Sequence, residues 1–484
     1  MKLLFILLLI CPTISVLSQQ KAGDLKIEPD VFTNTKKEKV EAEIGHLFVP
    51  ENRNKPNSRL IELAFVRFKS TSPNPSAPIV YLAGGPGGSG IGAAQSSRFP
   101  LFMAMREIGD VIAFEQRGVG LSKPNLNCKE SINFPIEKAP NREDLVKHFQ
   151  TQYQSCIENY KQQGVDLTGY NTNESADDLE DLRKALGAEK ISLWAISYGT
   201  HLSLATIKRH PKSINRVILA GTEGLSDTVK LPSNIQKHLE YLDRLLKTDA
   251  NLTKEIPSLI GLMKGVLDNA ERDPKIVEAI DPQTKQKVKV TINKFALQML
   301  TAYAFGSGEA SIPALYYAMS KGDFSVAAQR WIGLTRGGQN IGTAMGLMMD
   351  CASGISPKRK MQIANEAKTT LLGDVMDFPF PDVCTAFENV DLGEKFRASV
   401  KTNIPTLFIS GTLDVRTPPT NAEFVRKGFK NSEHLIIDGA VHSDPLFLSS
   451  PKIKDVMLEF MKGLKISTTN IMLEPLKFAQ IQHK

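Results

Sequence analysis

From about Val40 to Phe68 apolar and polar positions alternate in two runs, EAEIGHLFVP and RLIELAFVRF, separated by the turn ENRNKPNS. Period-two alternation broken by a polar, proline-bearing turn predicts two antiparallel strands with one buried face. Beyond this hairpin the pattern changes to short, nearly continuous apolar runs: PIVYLAG (78–84), DVIAFE (110–115), ISLWAI (191–196), RVILAG (216–221), PTLFISG (405–411) and HLIIDG (434–439). Strands apolar on both faces need cover on both faces. The helical stretches between them supply it, so the chain reads as α/β, with a parallel sheet and the hairpin as its antiparallel edge.

Between the fourth and fifth runs about 180 residues carry no comparable strand, only helical periods such as NIQKHLEYLDRLL, IPSLIGLMKGVL and INKFALQMLTAYAF. This predicts a helical insertion. The expected divisions are a leader at 1–18, a first core segment at 19–223, a helical cap at 224–395, a second core segment at 396–465 and a loosely packed tail at 466–484.

Composition narrows the class. The 484 residues hold 42% hydrophobic and 23% charged residues with a net charge of +7, which excludes a disordered chain and a polytopic membrane protein. The positive excess is dispersed, so no nucleic-acid partner is expected. At the start, Lys2 precedes an apolar run from Leu3 to Ile10, Pro12 interrupts it, and Val16-Leu17-Ser18 offers a cleavage site. That is the pattern of a secretory signal peptide, predicting a secreted or periplasmic chain with no membrane association once the signal is removed. Removing Cys11 leaves four cysteines with three possible pairings. In an oxidising compartment the sequence-local pairs Cys128–Cys156 and Cys351–Cys384 are expected, each adding roughly 3–4 kcal/mol by loop entropy. No CxxC or HExxH spacing exists, so no metal is expected.

The sharpest chemical feature is ISLWAI-Ser197-Tyr198-Gly199, where a predicted strand runs into a serine and a helix follows until Pro211. A nucleophile on a strand-to-helix elbow needs small residues two before and two after it, here Ala195 and Gly199. Downstream, Asp414 follows the strand PTLFIS and His442 follows HLIID. A serine hydroxyl needs an imidazole to take its proton, and the imidazole needs a carboxylate to fix its tautomer; the chain order Ser, Asp, His supplies all three. His46, His148, His238 and His483 read as surface residues, and His434 as structural. The run Ala83 to Gly90 after the first parallel strand nominates Gly85 N–H as one oxyanion donor, with Tyr198 N–H as the second. It lacks GxxxxGK[ST] and GxGxxG spacing, which argues against nucleotide binding.

GGPGGSG (84–90), FEQRGVGLSKP (114–124), YNTNESADDLEDLRKALG (170–187) and PTLFISGTLDVRTPP together resemble the tripeptidyl aminopeptidase and proline iminopeptidase family. The resemblance covers about 40–222 and 395–462 and implies an α/β-hydrolase fold with an inserted helical cap. It implies a serine exopeptidase that needs no cofactor and acts on a peptide substrate with a free N-terminus. Two departures stand out: Ala83 where iminopeptidases usually carry His, which favours the tripeptidyl side, and Ala195 for Gly in the elbow.

An exopeptidase must pair the substrate's ammonium with carboxylates. Glu223 is the candidate, its alternative being a partner for Lys230; Glu115 and Arg117 are expected to pair with one another. Two other readings stay open at this level: a carboxylesterase or lipase-like enzyme with the same triad, and a non-catalytic binding protein on the same fold. Nothing in the sequence fixes the oligomeric state.

Overall fold

The structure is a computed structural model and describes residues 20–338, 340–388 and 390–481. The leader at 1–18 and His483 lie outside the described residues. The strands are β1 (Leu25–Thr33), β2 (Lys39–Pro50), β3 (Leu60–Phe68), β4 (Ile79–Leu82), β5 (Val111–Phe114), β6 (Ile191–Ser197), β7 (Ile214–Thr222), β8 (Lys275–Ile280), β9 (Lys287–Ile292), β10 (Thr406–Gly411), β11 (Ser432–Asp438) and β12 (Asn470–Met472). Ten of them form one sheet in the order β1-β2-β3-β5-β4-β6-β7-β10-β11-β12. From β5 to β12 the pairings are parallel, while β1, β2, β3 and β5 pair antiparallel.

The apolar runs explain the layering. Along β4 and β6, Val80, Leu82, Leu193 and Ala195 join the core on one side of the sheet, and Ile79, Tyr81, Trp194 and Ile196 join the core on the other. Successive side chains of a strand point to opposite faces, so an unbroken apolar run feeds two cores at once. Phe102 of the helix Phe99–Met105 and Phe447 pack edge-on against Trp194 or its neighbours on the second side. The first core continues into the insertion.

The insertion leaves the sheet at the carboxyl end of β7, the edge at which β6 ends in Ser197. It is mostly helical, with Pro232–Leu246, Leu259–Arg272, Lys294–Ala304, Ser325–Arg336 and Ala344–Ser353 among its longer helices. It also holds an antiparallel hairpin, β8 with β9, where none was expected. Both strands are largely exposed, burying only Ala279, Val290, Thr291 and Ile292, and lysines interrupt β9, so their strand signal is weak.

Two further strands differ from expectation for the same reason. β1 buries only Phe32 of its nine residues. β12 is three residues long, yet it pairs Ile471 with Ile437, and the tail beyond it buries Phe478 and donates from Ala479 N–H to Ala310 O. The segment expected to be loose therefore extends the sheet and ties down on the insertion. Disulfides join Cys128 to Cys156 and Cys351 to Cys384, the expected pairs. Among the described residues no helix is long and apolar enough to cross a membrane.

Candidate active site

Ser197 ends β6 and the helix Tyr198–Arg209 begins at the next residue. Its backbone sits at φ +54°, ψ −126°, a conformation costly for any residue with a Cβ. The surroundings leave no slack. A Cβ on Gly199 would lie 2.2 Å from Leu82 O, and one on Gly84 would lie 2.9 Å from Ser197 Cβ. Thr200 Oγ1 donates to Ser197 O at 2.6 Å and accepts from Glu223 N–H at 2.8 Å, linking the elbow to the strand end where the insertion begins.

Asp414 and His442 follow β10 and β11 and meet through a 2.8 Å contact between Oδ2 and Nδ1. Asp414 is fully enclosed; its Oδ1 accepts from the amides of Arg416 (3.0 Å) and Thr417 (2.9 Å), and its Oδ2 from Thr417 Oγ1 (2.7 Å). Burial pushes this carboxyl upward in pKa, but the His442 and Thr417 contacts outweigh it and hold it below the ordinary carboxylate range. With Nδ1 committed to Asp414, Nε2 is the imidazole atom left for a proton. Among the described residues Ser197 makes no hydrogen bond to His442. Both border β7: Ser197 is registered against Thr222, and a Cβ on Gly221 would sit 3.2 Å from His442 Cε1. The His442 loop is anchored from the far side, where Arg98 bonds Ser443 Oγ at 3.2 Å and Asp444 at 2.7 Å.

The glycine-rich turn lies against the same serine. Gly85 has φ +121° and lines one cavity with Ser197, and the Tyr198 amide opens the adjoining helix. Tyr198 is fixed by its hydroxyl, 3.0 Å from Thr172 Oγ1 in the interior. The turn is held from behind by Gln116 Nε2, which donates to Ala83 O at 3.2 Å, and by Glu115, which accepts from Ser89 Oγ. Glu115 therefore does not pair with Arg117. The chain reverses between Gln116 and Val119, so Glu115 stays beside the turn while Arg117 crosses to Asp178 at 2.7 and 2.8 Å. Burial raises the Glu115 pKa.

The cavity holding Ser197 measures about 270 Å³, just below the roughly 300 Å³ at which drug-sized ligand sites begin. Its polar lining includes Glu223, Lys230, Asp350, Asp377 and Arg416, and its apolar lining Met376, Phe378 and Phe380. Glu223 is buried and its Oε2 lies 2.8 Å from Lys230 Nζ, so it is a partner for that lysine. Lys230 also reaches Asp377 at 3.9 Å, and its backbone N–H donates to Asp377 Oδ2. Burial disfavours the Lys230 cation, but Glu223 and Asp377 raise its pKa and keep it charged. Asp350 makes no side-chain hydrogen bond among the described residues. Burial, with repulsion from Glu223, lifts it well above the ordinary range.

Two histidines complete the surroundings. His201, one turn beyond Ser197, is buried between Gly224 O (3.2 Å) and Ser353 Oγ (3.0 Å), and burial lowers its pKa. His238 was expected at the surface, but it lies on the inner side of its helix against Phe305 and is pushed down to about 4 by burial. Asp350, Asp377, Arg416 and Thr417 were not singled out from sequence. Only Arg416 and Thr417 had a local cue, their nearness to Asp414.

Residues 77–262 match the family described as alpha/beta hydrolase fold, and residues 378–470 match the family described as TAP-like protein. The chain is an α/β hydrolase by fold. The hydrolase is 30% identical over 183 residues to "Serine protease Hip1" of Mycobacterium tuberculosis (strain ATCC 25618 / H37Rv), covering 37% of this chain and 35% of that one. It is 26% identical over 213 residues to "Tripeptidyl aminopeptidase" of Streptomyces lividans, covering 41% and 39%. The aligned segments thus span little more than a third of these relatives. A solved thermophilic esterase from Thermogutta terrifontis covers 86% of the hydrolase and is itself covered at 98%, with 15% identity and a TM-score of 0.36.

Proposed function

We propose that this hydrolase is an exported serine exopeptidase that cleaves peptide bonds near a free N-terminus. The observation that carries the reading is a strained serine sharing a small cavity with Glu223, Asp350 and Asp377. Lys230 already engages Glu223 and sits near Asp377, so Asp350 is the carboxyl free to meet a second cation. Burial raises its pKa, and a substrate ammonium beside it opposes that shift, because an adjacent opposite charge favours the carboxylate. The two disulfides and the leader pattern agree with export.

In this reading Ser197 Oγ attacks the scissile carbonyl while His442 Nε2 takes its proton, with Asp414 holding the Nδ1–H tautomer. The Ser197–His442 hydrogen bond closes with substrate in place, as is common where the empty site is loosely aligned. Gly85 and Tyr198 N–H groups receive the oxyanion, and His442 returns the proton to the departing amine. Water then hydrolyses the acyl-enzyme by the same route.

The test is hydrolysis of matched fluorogenic substrates by the wild type, Ser197→Ala and Asp350→Asn: free-amine Pro-, Ala- and tripeptidyl amides, their N-acetyl counterparts, and a short-chain ester. Turnover confined to free-amine peptides and abolished in Ser197→Ala is expected. Asp350→Asn should raise KM about tenfold or more, the worth of one charge-assisted hydrogen bond. Cleavage of the ester alone, or equal cleavage of acetylated and free peptides, overturns the reading.

A further inference from the structure

We infer that Arg416 makes the Ser197 cavity select substrates carrying a carboxylate near the scissile bond, from an acidic side chain or from the free C-terminus of a short peptide. The inference rests on the exopeptidase reading for the amine end only.

Arg416 stands two residues past Asp414 in a pinned loop. Its own amide and that of Thr417 both donate to Asp414 Oδ1, at 3.0 and 2.9 Å, and Pro418 and Pro419 follow. A backbone fixed in this way presents the guanidinium to the cavity that contains Ser197. There it forms no ion pair within 4.0 Å among the described residues, whereas Arg98 on the other side of the His442 loop is paired with Asp444.

Three nearby carboxyl groups are engaged elsewhere. Asp414 holds His442, and Asp377 receives the Lys230 N–H and faces its ammonium. Glu309 accepts from Gly306 N–H in an enclosed position, where burial favours its neutral form. The influence of Arg416 reaches Asp377, Glu309 and Tyr303, but none of them closes on it. A planar fork of donors in a half-enclosed cavity matches a carboxylate in two parallel hydrogen bonds. The same cavity offers Asp350 without a hydrogen-bond partner. One unsatisfied group of each sign is the complement of a zwitterion, and a short free-ended peptide is a zwitterion.

The test measures peptide Kd by calorimetry on the full chain carrying Ser197→Ala, with Arg416 intact and as Arg416→Gln and Arg416→Lys. The probes are Ala-Ala-Glu-Ala amide against Ala-Ala-Gln-Ala amide, and tetra-alanine acid against tetra-alanine amide. With Arg416 intact the acid member of at least one pair should bind roughly 10- to 100-fold tighter, the worth of a charge-assisted contact. That ratio should fall to about one in Arg416→Gln and persist in part in Arg416→Lys. Preference in the first pair assigns the contact to a side chain, and in the second to the peptide terminus. Equal affinities in both pairs, a preference that survives Arg416→Gln, or no peptide binding at all overturns the inference. The exopeptidase reading fails separately: wild-type turnover that ignores N-acetylation sinks it even where the Arg416 preference holds.

Discussion

The strain at Ser197 can be measured without reference to catalysis. At φ +54°, ψ −126° a residue with a Cβ sits about 1–3 kcal/mol above its relaxed state, and glycine escapes that cost. Ser197→Ala and Ser197→Gly both remove the nucleophile, so their difference isolates the backbone. Against glycine stand about 0.4–1 kcal/mol of extra unfolded-chain entropy and about 0.4 kcal/mol for one half-buried methyl group. With about 2 kcal/mol of strain, the balance leaves Ser197→Gly more stable than Ser197→Ala by about 1 kcal/mol. At a relaxed strand-to-helix junction the sign inverts and alanine leads by about 0.8–1.4 kcal/mol. The assay is urea unfolding of the two variants followed by the fluorescence of buried Trp194 and Trp331, compared at a common slope. Equal midpoints, or alanine ahead, would refute the idea that the fold stores strain in the elbow.

Asp414→Asn should leave KM within about threefold and lower kcat by about 10³- to 10⁴-fold, because an amide facing His442 Nδ1 favours the wrong tautomer; a loss under tenfold in steady-state assays would remove Asp414 from the proposed mechanism. Lys230→Met strands the buried Glu223 carboxylate and should cost about 3–5 kcal/mol in chemical denaturation, with Glu223→Gln in the same chain restoring much of it; an unchanged single variant contradicts the pairing. Asp177 is opposed by burial, but bonds from His210 and Arg209 hold its pKa down to about 2 against an ordinary 3.8. A folded pKa below the unfolded one means that its stabilisation is complete above about pH 5 and disappears as pH falls through 4 toward 2. Asp177→Asn should flatten stability against pH in that window, and an unaltered acid limb in thermal melts would count against it.

The legible half of the site and the illegible half differ in what fixes them. Ser197, Asp414 and His442 each stand just past an apolar strand, and Gly85 stands in a glycine run that a strand feeds, so local pattern and chain order were enough to nominate them. The same locality gave the parallel strands from β4 to β11, whose apolar runs are nearly continuous, and missed β1, β8, β9 and β12, where only one to three side chains are buried. Asp350 lies in the last turn of an otherwise apolar helix, AMGLMMDCAS, and Asp377 lies in a short turn 27 residues later. Nothing in their neighbours marks them, because Lys230 and Glu223, the charges they meet in the cavity, come from more than 100 residues upstream, and the insertion has no regular pattern from which such a meeting could be read.

This division has a chemical consequence. The groups proposed to break a bond are placed by the sheet, where each position follows from a strand end and tolerates little change: a Cβ on Gly84 or Gly199 already collides. Those proposed to choose the substrate are mostly placed by the insertion. Arg416 is the exception, a selector on the sheet's own loop, held by the same Asp414 oxygen that receives the Thr417 amide. Changing its side chain leaves both amide bonds to Asp414 intact, since they come from the backbone. Substrate preference can therefore shift at position 416 without disturbing the imidazole's carboxylate, whereas a change at Asp350 or Lys230 must be accommodated by the ionisable groups gathered around Glu223 and Asp377.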